Sequence, residues 1–176
     1  MLKGRAVGLV PLQTTDELVM FRWMNDPAIR AAAGRPNWKA CYSLEQVQDL
    51  IRDRLGQSTR FDLMVVDLER GEPCGLVELN HLHAMSDSAR LSLVWGGRGD
   101  AKLAEEALSL ASKYAFETQA LHRLWTRVPN DSDFIMSAFH NIGFRAEGVL
   151  REDHFSGGAW KDSVLLSMLA TEAGRC

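Results

Sequence analysis

Leu91-Ser92-Leu93-Val94-Trp95-Gly96-Gly97-Arg98-Gly99-Asp100 is an apolar strand that runs into a glycine-rich loop. Directly after it, Leu103, Ala104, Ala107, Leu108, Ala111, Tyr114 and Ala115 recur at helical spacing, with Glu105, Glu106, Ser112 and Lys113 largely off that stripe. Arg123 to Val128 then returns to strand character. A strand, a loop, a helix and a strand in that order form a crossover that brings two parallel strands together. The fold is built outward from this unit.

Downstream, the pattern predicts a helix from about Ser132 to Asn141 and strands at Phe144 to Leu150 and Trp160 to Leu169. Upstream, Arg5 to Leu12 reads as a strand. Thr15 or Asp16 then caps a helix carrying Leu18, Val19, Phe21, Trp23 and Met24, and Asn25-Asp26-Pro27 stops it, because the residue before proline is pushed out of helical geometry. Ser43-Leu44-Glu45-Gln46 has the form of a capping box ahead of Val47, Leu50, Ile51 and Leu55. Phe61, Leu63 and Val65 alternate, Glu69 to Pro73 turns, and Cys74 to Asn80 completes a hairpin. A third strand, Leu91 to Trp95, comes after the turn at Ser86-Asp87-Ser88. The first half is therefore expected to be largely antiparallel.

At 176 residues, 46% hydrophobic and 24% charged, the chain is expected to form one domain over 1–176. A domain of this size buries roughly 70% of its unfolded surface and needs no staples. A net charge of -3 and a pI near 5.9 provide no bulk attraction to nucleic acid or an anionic membrane. No stretch reaches the roughly 20 apolar residues of a membrane span, and Met1 to Val7 lacks a signal peptide's apolar core. Cys41, Cys74 and Cys176 are few and scattered, which argues against a disulfide framework or a structural zinc site. A cytoplasmic protein without a metal is expected.

Several stretches together resemble the GNAT acyltransferase superfamily, and within it the branch that acetylates ribosomal-protein N-termini and related amines. They are Trp23-Met24-Asn25-Asp26-Pro27, Gly75-Leu76-Val77-Glu78-Leu79, Tyr114-Ala115-Phe116 with Leu121-His122-Arg123-Leu124, Ile142 to Glu152, and Gly157 to Leu169. In this order they span nearly the whole chain. The resemblance implies an α/β fold of the α+β type: a mixed sheet of about seven strands, helices on both faces and a splay between the fourth and fifth strands. It also implies that acetyl-CoA binds in the splay, with its pantetheine arm along the fourth strand at Val94 and Trp95. The pyrophosphate would lie on backbone amides at the following helix start, within Arg98, Gly99, Ala101, Lys102, Leu103 and Ala104. A helix N-terminus supports such a contact through its unpaired donors and partial positive charge. A homodimer is implied as well.

The sequence departs from the family's pattern at three places. The phosphate loop reads Arg or Gln, two residues, Gly, one residue, then Gly or Ala; Arg98 to Ala104 does not restore it in either register. Asp100 is a good helix cap whose carboxylate repels a phosphate. Twelve residues before Phe144, where the family has an arm-contacting Asn, stands Ser132, and five before it, at the tyrosine that protonates the leaving thiolate, stands Phe139.

Acetyl transfer to an amine needs a proton acceptor. Glu78, on the strand before the splayed one, is the candidate base, acting directly or through a water; a solvent-facing strand position is the plainer reading. His81 and His83, on one face of a strand, are candidate acceptor contacts and a candidate base or metal-ligand pair, with two solvated rings the plainer reading; His154 in its turn and Trp23 and Trp38 beside the N-terminal loops are candidate acceptor contacts as well. Cys74 is expected to be a buried strand residue. Three functions stay open: acetylation of a small-molecule or protein amine by acetyl-CoA, acyl transfer from an acyl carrier protein or other donor lacking the nucleotide, and a GNAT-shaped binding module without catalysis.

Overall fold

The computed structural model describes residues 1–33, 41–83, 87–96 and 100–173, with the side chain of His83 outside the described part. Eight strands form one sheet in spatial order β1-β2-β3-β4-β5-β6-β8-β7. They are β1 (Leu2–Lys3), β2 (Val7–Pro11), β3 (Phe61–Asp67), β4 (Glu72–His83), β5 (Ser88–Trp95), β6 (Arg123–Pro129), β7 (Arg145–Ser156) and β8 (Ala159–Leu169). The strands up to β5 pair antiparallel, β5 and β6 pair parallel, and β6, β8 and β7 are antiparallel again. The mixed sheet expected from the crossover is present. It has one strand more than about seven, because Leu2 and Lys3 add a short pair to Leu9 and Gly8. The two crossover strands are thus the fifth and sixth of this sheet.

Alternation along the strands sends side chains to two cores. On one face Leu63, Val65, Val77, Leu91 and Leu93 pack under α4 (Ala101–Lys113) and α5 (Asp133–Asn141). On the other, Met64 and Leu76 pack under α1 (Glu17–Asn25) and α3 (Leu44–Leu55). Helices therefore cover both faces. None of the described helices is long and apolar enough to cross a membrane.

The Ser43 capping box is present in full: Ser43 Oγ accepts from the Gln46 amide at 3.1 Å and Gln46 Oε1 accepts from the Ser43 amide at 3.0 Å. At the first helix Asp16 is the N-cap residue, as expected, but its side chain makes no cap hydrogen bond to α1. A 3-10 turn, Thr14–Asp16, precedes α1, and the Asp16 carboxylate reaches back to the Gln13 amide at 2.8 Å. Asp26-Pro27 ends α1 as expected but also starts α2 (Pro27–Ala32), with the Asp26 side chain accepting from Ala28 and Ile29. Proline at a first helical position costs no hydrogen bond, so the same dipeptide stops one helix and starts another. Tyr114–Thr118 continues α4 as a π-helical turn that the helical stripe does not reveal.

Cys74 is buried on β4, and burial together with nearby Asp67 pushes its thiol up to about 11. Cys41 is exposed. At pH 8, mass spectrometry after brief iodoacetamide treatment is expected to find Cys41 alkylated and Cys74 unmodified until denaturant is added. Ser43→Ala should cost about 1 kcal/mol, a Tm drop of roughly 2–4 °C for a domain of this size, read by thermal denaturation.

Candidate functional site

The β5–β6 ladder has three Cα pairs among the described residues, Ser88↔Arg123, Ala89↔Leu124 and Arg90↔Trp125. Beyond Arg90 the two strands part, while β5 stays paired to β4 as far as Trp95 and β6 stays paired to β8 as far as Pro129. The result is a splay whose β5 edge, from Leu91 to Trp95, has no strand beside it among the described residues. Unpaired strand edges are templates for a further strand or an extended ligand. A small cavity lies in the gap, lined by Ala32, Ala33, Arg90, Ser92, Leu93, Thr126 to Pro129, Ile135 and Phe139.

A second, small cavity lies between the sheet and the N-terminal helices. Its walls are Met20, Trp23 and Met24 from α1, Ile29, Arg30 and Ala33 at α2, Arg54 from α3, and Leu76 and Val94 from the sheet. Ala33 lines both cavities, so they adjoin there. Trp23 is buried with its indole laid on the backbone at Gly96, where an added Cβ would stand 2.1 Å from Nε1. Gly96 is what allows the ring to close that end of the cavity.

Glu78 is fully buried, so it is neither a solvent-facing strand residue nor a wall of either cavity. Its carboxylate accepts from Arg54 Nη1 at 2.6 Å, with Arg60 Nη2 at 3.6 Å. Asp62, the cross-strand partner of Glu78, binds Arg60 through both oxygens and lies 3.7 Å from Arg54. Two guanidiniums and two carboxylates thus balance under α3. Beside this cluster, Arg54 Nε and Ser92 Oγ are buried without a hydrogen bond among the described residues. Ser92 stands opposite Glu78 in the β4–β5 ladder and lines the splay cavity. Neither Arg54 nor Ser92 belongs to a pattern that sequence reading picks out; the only trace of Arg54 is a charged residue four after Leu50 on a helix that also buries Ile51.

At the helix start expected to hold a pyrophosphate, the Asp100 carboxylate accepts from the amides of Lys102 at 3.1 Å and Leu103 at 3.4 Å. Ala101 and Lys102 are exposed, whereas Leu103 packs against the core and Ala104 is fully buried. Arg98, Gly99 and Trp38 lie outside the described residues. Val94 lies on β5 over the α1 side, and Trp95 points to the other face, 6.2 Å from Phe134. The Ser132 hydroxyl donates to the Ala32 carbonyl at 3.3 Å and so ties the start of α5 to the end of α2 across the splay. Phe139 is buried edge-to-face against Phe144, 5.0 Å between centroids, and forms part of the splay lining.

The histidines are more dispersed than strand spacing implies. A register shift between Asn80 and His83, with His81 at φ 52°, breaks the alternation that would place His81 and His83 on one face. His81 is exposed, 6.2 Å from Trp125. His154 lies on β7 with Nδ1 3.4 Å from Ser163 Oγ, close enough to Asp131 to add to the lowering of that carboxyl, which is dominated by its bond to Lys161. Among the described residues, no three His, Cys, Asp or Glu side chains are grouped to hold a metal ion.

The family profile described as "Acetyltransferase (GNAT) domain" matches residues 7–145. Among solved structures, spermidine N-acetyltransferase from Vibrio cholerae in complex with CoA and spermine is similar, with a TM-score of 0.86 at 20% identity over 95% of this chain and 97% of that one. A GNAT-family acetyltransferase from Bacillus anthracis has a TM-score of 0.82 at 16% identity over 97% of this chain and 99% of that one. None of the curated protein sequences matches the chain.

Removing one member of a buried ion pair strands its partner. Glu78→Gln is expected to destabilise the fold by about 3–5 kcal/mol. In urea denaturation, Arg54→Met with Glu78→Gln should lose less than the sum of the two single changes; additive losses would show that the pair is not coupled.

Proposed function

Because the chain belongs to the GNAT acetyltransferase family, we propose that it transfers an acetyl group from acetyl-CoA to a primary amine by direct attack within a ternary complex. The observation that carries this reading is the meeting of two cavities at Ala33, one in the splay and one under α1 and α2. The donor arm pairs with the free β5 edge beside Val94 and Trp95, while the amine enters past Trp23. The structurally similar Vibrio cholerae enzyme, in complex with CoA and spermine, supports a thioester donor and an amine acceptor here. The nitrogen attacks the thioester carbonyl, an N–C bond forms, the C–S bond breaks, and the amine's proton must leave.

In this reading the proton leaves through Ser92 toward Glu78. Ser92 is the polar side chain with an unused hydroxyl on the splay wall, and Glu78 stands opposite it. Phe139 supplies no proton to the departing thiolate, which takes one from solvent or from the relay. His81, His83, His154 and Trp38 remain proposed rim contacts of the acceptor, and a small-molecule amine or a protein N-terminus is the acceptor class. The proposal includes a homodimer through the outer hairpin, where Val149 (59%), Phe155 (40%) and Trp160 (61%) are exposed.

One observation favours a second donor. With Asp100 occupying the Lys102 and Leu103 amides, a pyrophosphate meets a carboxylate where the family expects open donors. An acyl carrier protein supplies the pantetheine arm without the nucleotide's diphosphate.

Steady-state assays with acetyl-CoA, acetyl-phosphopantetheine and an acetylated carrier protein separate these readings. A kcat/KM for acetyl-CoA at least tenfold above acetyl-phosphopantetheine supports the first donor; equal values, or a preference for the carrier protein, support the second. Under the second reading, Asp100→Gly should raise acetyl-CoA use selectively. Absence of binding to every thioester by calorimetry would sink both. Ser92→Ala, which leaves the Arg54–Glu78 pair intact, should lower kcat by roughly 10²-fold with donor KM unchanged, the low end for loss of a proton-transfer group; an unchanged kcat removes the relay.

A further inference from the structure

A cavity of about 470 Å³ lies away from the splay, lined by Ser109, Ser112 and Phe116 from α4 and its π turn, Ile142 from the end of α5, and Met168 from β8. It shares no described wall with the cavities in the splay and under α1 and α2. α4 begins just after the free end of β5 and runs 13 residues, about 20 Å at about 1.5 Å per residue, toward this space. α5 likewise runs from Ser132, tied to Ala32 at the splay, to Asn141. Met168 pairs with Leu124, where β5 and β6 are still joined. The space therefore flanks the closed end of the crossover, apart from both proposed substrate sites.

Two features set it apart from an ordinary surface dent. Ser109, Ser112 and Phe116 fall on one helical stripe, beside the stripe that enters the core. Its serines are small, as are Ala170 and Ala173 among the other walls, and together they leave room that packing elsewhere in a protein closes. The volume is in the range of roughly 300–1,000 Å³ that takes small ligands. The second feature is the π turn, Tyr114–Thr118, which carries Phe116 and Glu117 to the cavity. Such turns are rare and are found most often at functional sites, and neither proposed substrate site uses this one.

The walls specify a chemistry. Phe116 and Ile142 pack against the core yet stay half-buried, so part of each apolar side chain is open. Met168 adds a thioether, and an aromatic ring gains from both an aromatic and a sulfur neighbour. Lys113 and Glu117 also line the space, 3.9 Å apart and each 67% exposed. Their charges cancel, so a charged ligand would give up water without a matching counter-charge. The exposed Ser109 hydroxyl offers one donor and two acceptor positions. We propose that this cavity binds a neutral aromatic molecule carrying one hydroxyl or N–H group, a ligand distinct from both the acyl donor and the amine acceptor. Its ring lies against Phe116 and Ile142, and its polar group faces Ser109.

The test uses the full chain and three probes that share one ring system: naphthol, naphthalenesulfonate and naphthyltrimethylammonium, whose quaternary nitrogen cannot be acetylated. Calorimetry reads affinity, and methyl NMR of isoleucine and methionine reads location. Naphthol is expected to bind at least about tenfold more tightly than either charged probe, to shift the Ile142 and Met168 methyl signals, and to keep its affinity in saturating CoA. Ser109→Trp, which fills the space, should weaken naphthol at least about tenfold without lowering Tm. If that variant fails to fold, the methyl signals decide: shifts confined to other residues overturn the assignment. No binding of naphthol, equal affinity for a charged probe, displacement by CoA, or unchanged affinity in folded Ser109→Trp overturns it as well. A chain ending at Ala173 should bind naphthol within about twofold of the full chain. A larger gain shows that residues 174–176 take the space, and self-association that Ser109→Trp abolishes in sedimentation shows that a second copy does; either result overturns the small-molecule assignment.

Discussion

After three residue pairs, β5 and β6 separate, and the rest of the molecule is arranged around that separation. Each strand keeps its other neighbour, β4 or β8, so the backbone cost falls only on the facing edges. Buried backbone donors and acceptors require partners, and the β5 edge from Leu91 to Trp95 finds none among the described strands. α5 and the end of α2 sit across the opening, joined by the Ser132–Ala32 hydrogen bond. An extended arm with its own amides has the donors and acceptors to complete such an edge, which is the role proposed for the donor.

The two sheet faces divide the work. Under α4 and α5 the core is apolar and continuous, and it holds the crossover strands in position. Under α1 and α3 the core is smaller and encloses a neutral cluster of Arg54, Arg60, Asp62 and Glu78. Charges that deep are tolerable only because they are paired. Their pairing fixes α3 against β3 and β4, and with it one wall of the cavity under α1 and α2. The residue that neutralises Glu78 also lines that cavity, so the element that stabilises the face forms part of its wall.

At the start of α4 the proposed donor site meets a local conflict. Asp100 improves the start of α4 as a helix, since a carboxylate there satisfies free amides and the dipole. Those same amides are what a pyrophosphate would use. Stability of the helix and affinity for the nucleotide compete for one set of donors, and in this chain the side chain holds them.

Local chemistry was readable without coordinates wherever it repeats along the chain. The capping box at Ser43, the α4 stripe, the alternation in β3 and the strand-loop-helix-strand order all follow from residues close in sequence, because their periodicity is that of the element they form. The loss of the phosphate loop and of the tyrosine at Phe139 was legible for the same reason. What sequence order could not contain was the partner of Glu78: Arg54 lies 24 residues away, on a helix packed over its strand, and makes Glu78 half of a buried ion pair instead of a solvent-facing strand residue. Nor could spacing show Ser92 opposite Glu78, the His81 bulge, or Ala33 lining both the splay cavity and the cavity under α1 and α2. Sequence by itself determined the elements, their order and so the crossover; tertiary structure decided which side chains share a face, which donors are left unsatisfied, and where the two crossover strands part. Those outcomes depend on contacts between residues far apart in the chain, and only packing brings them together.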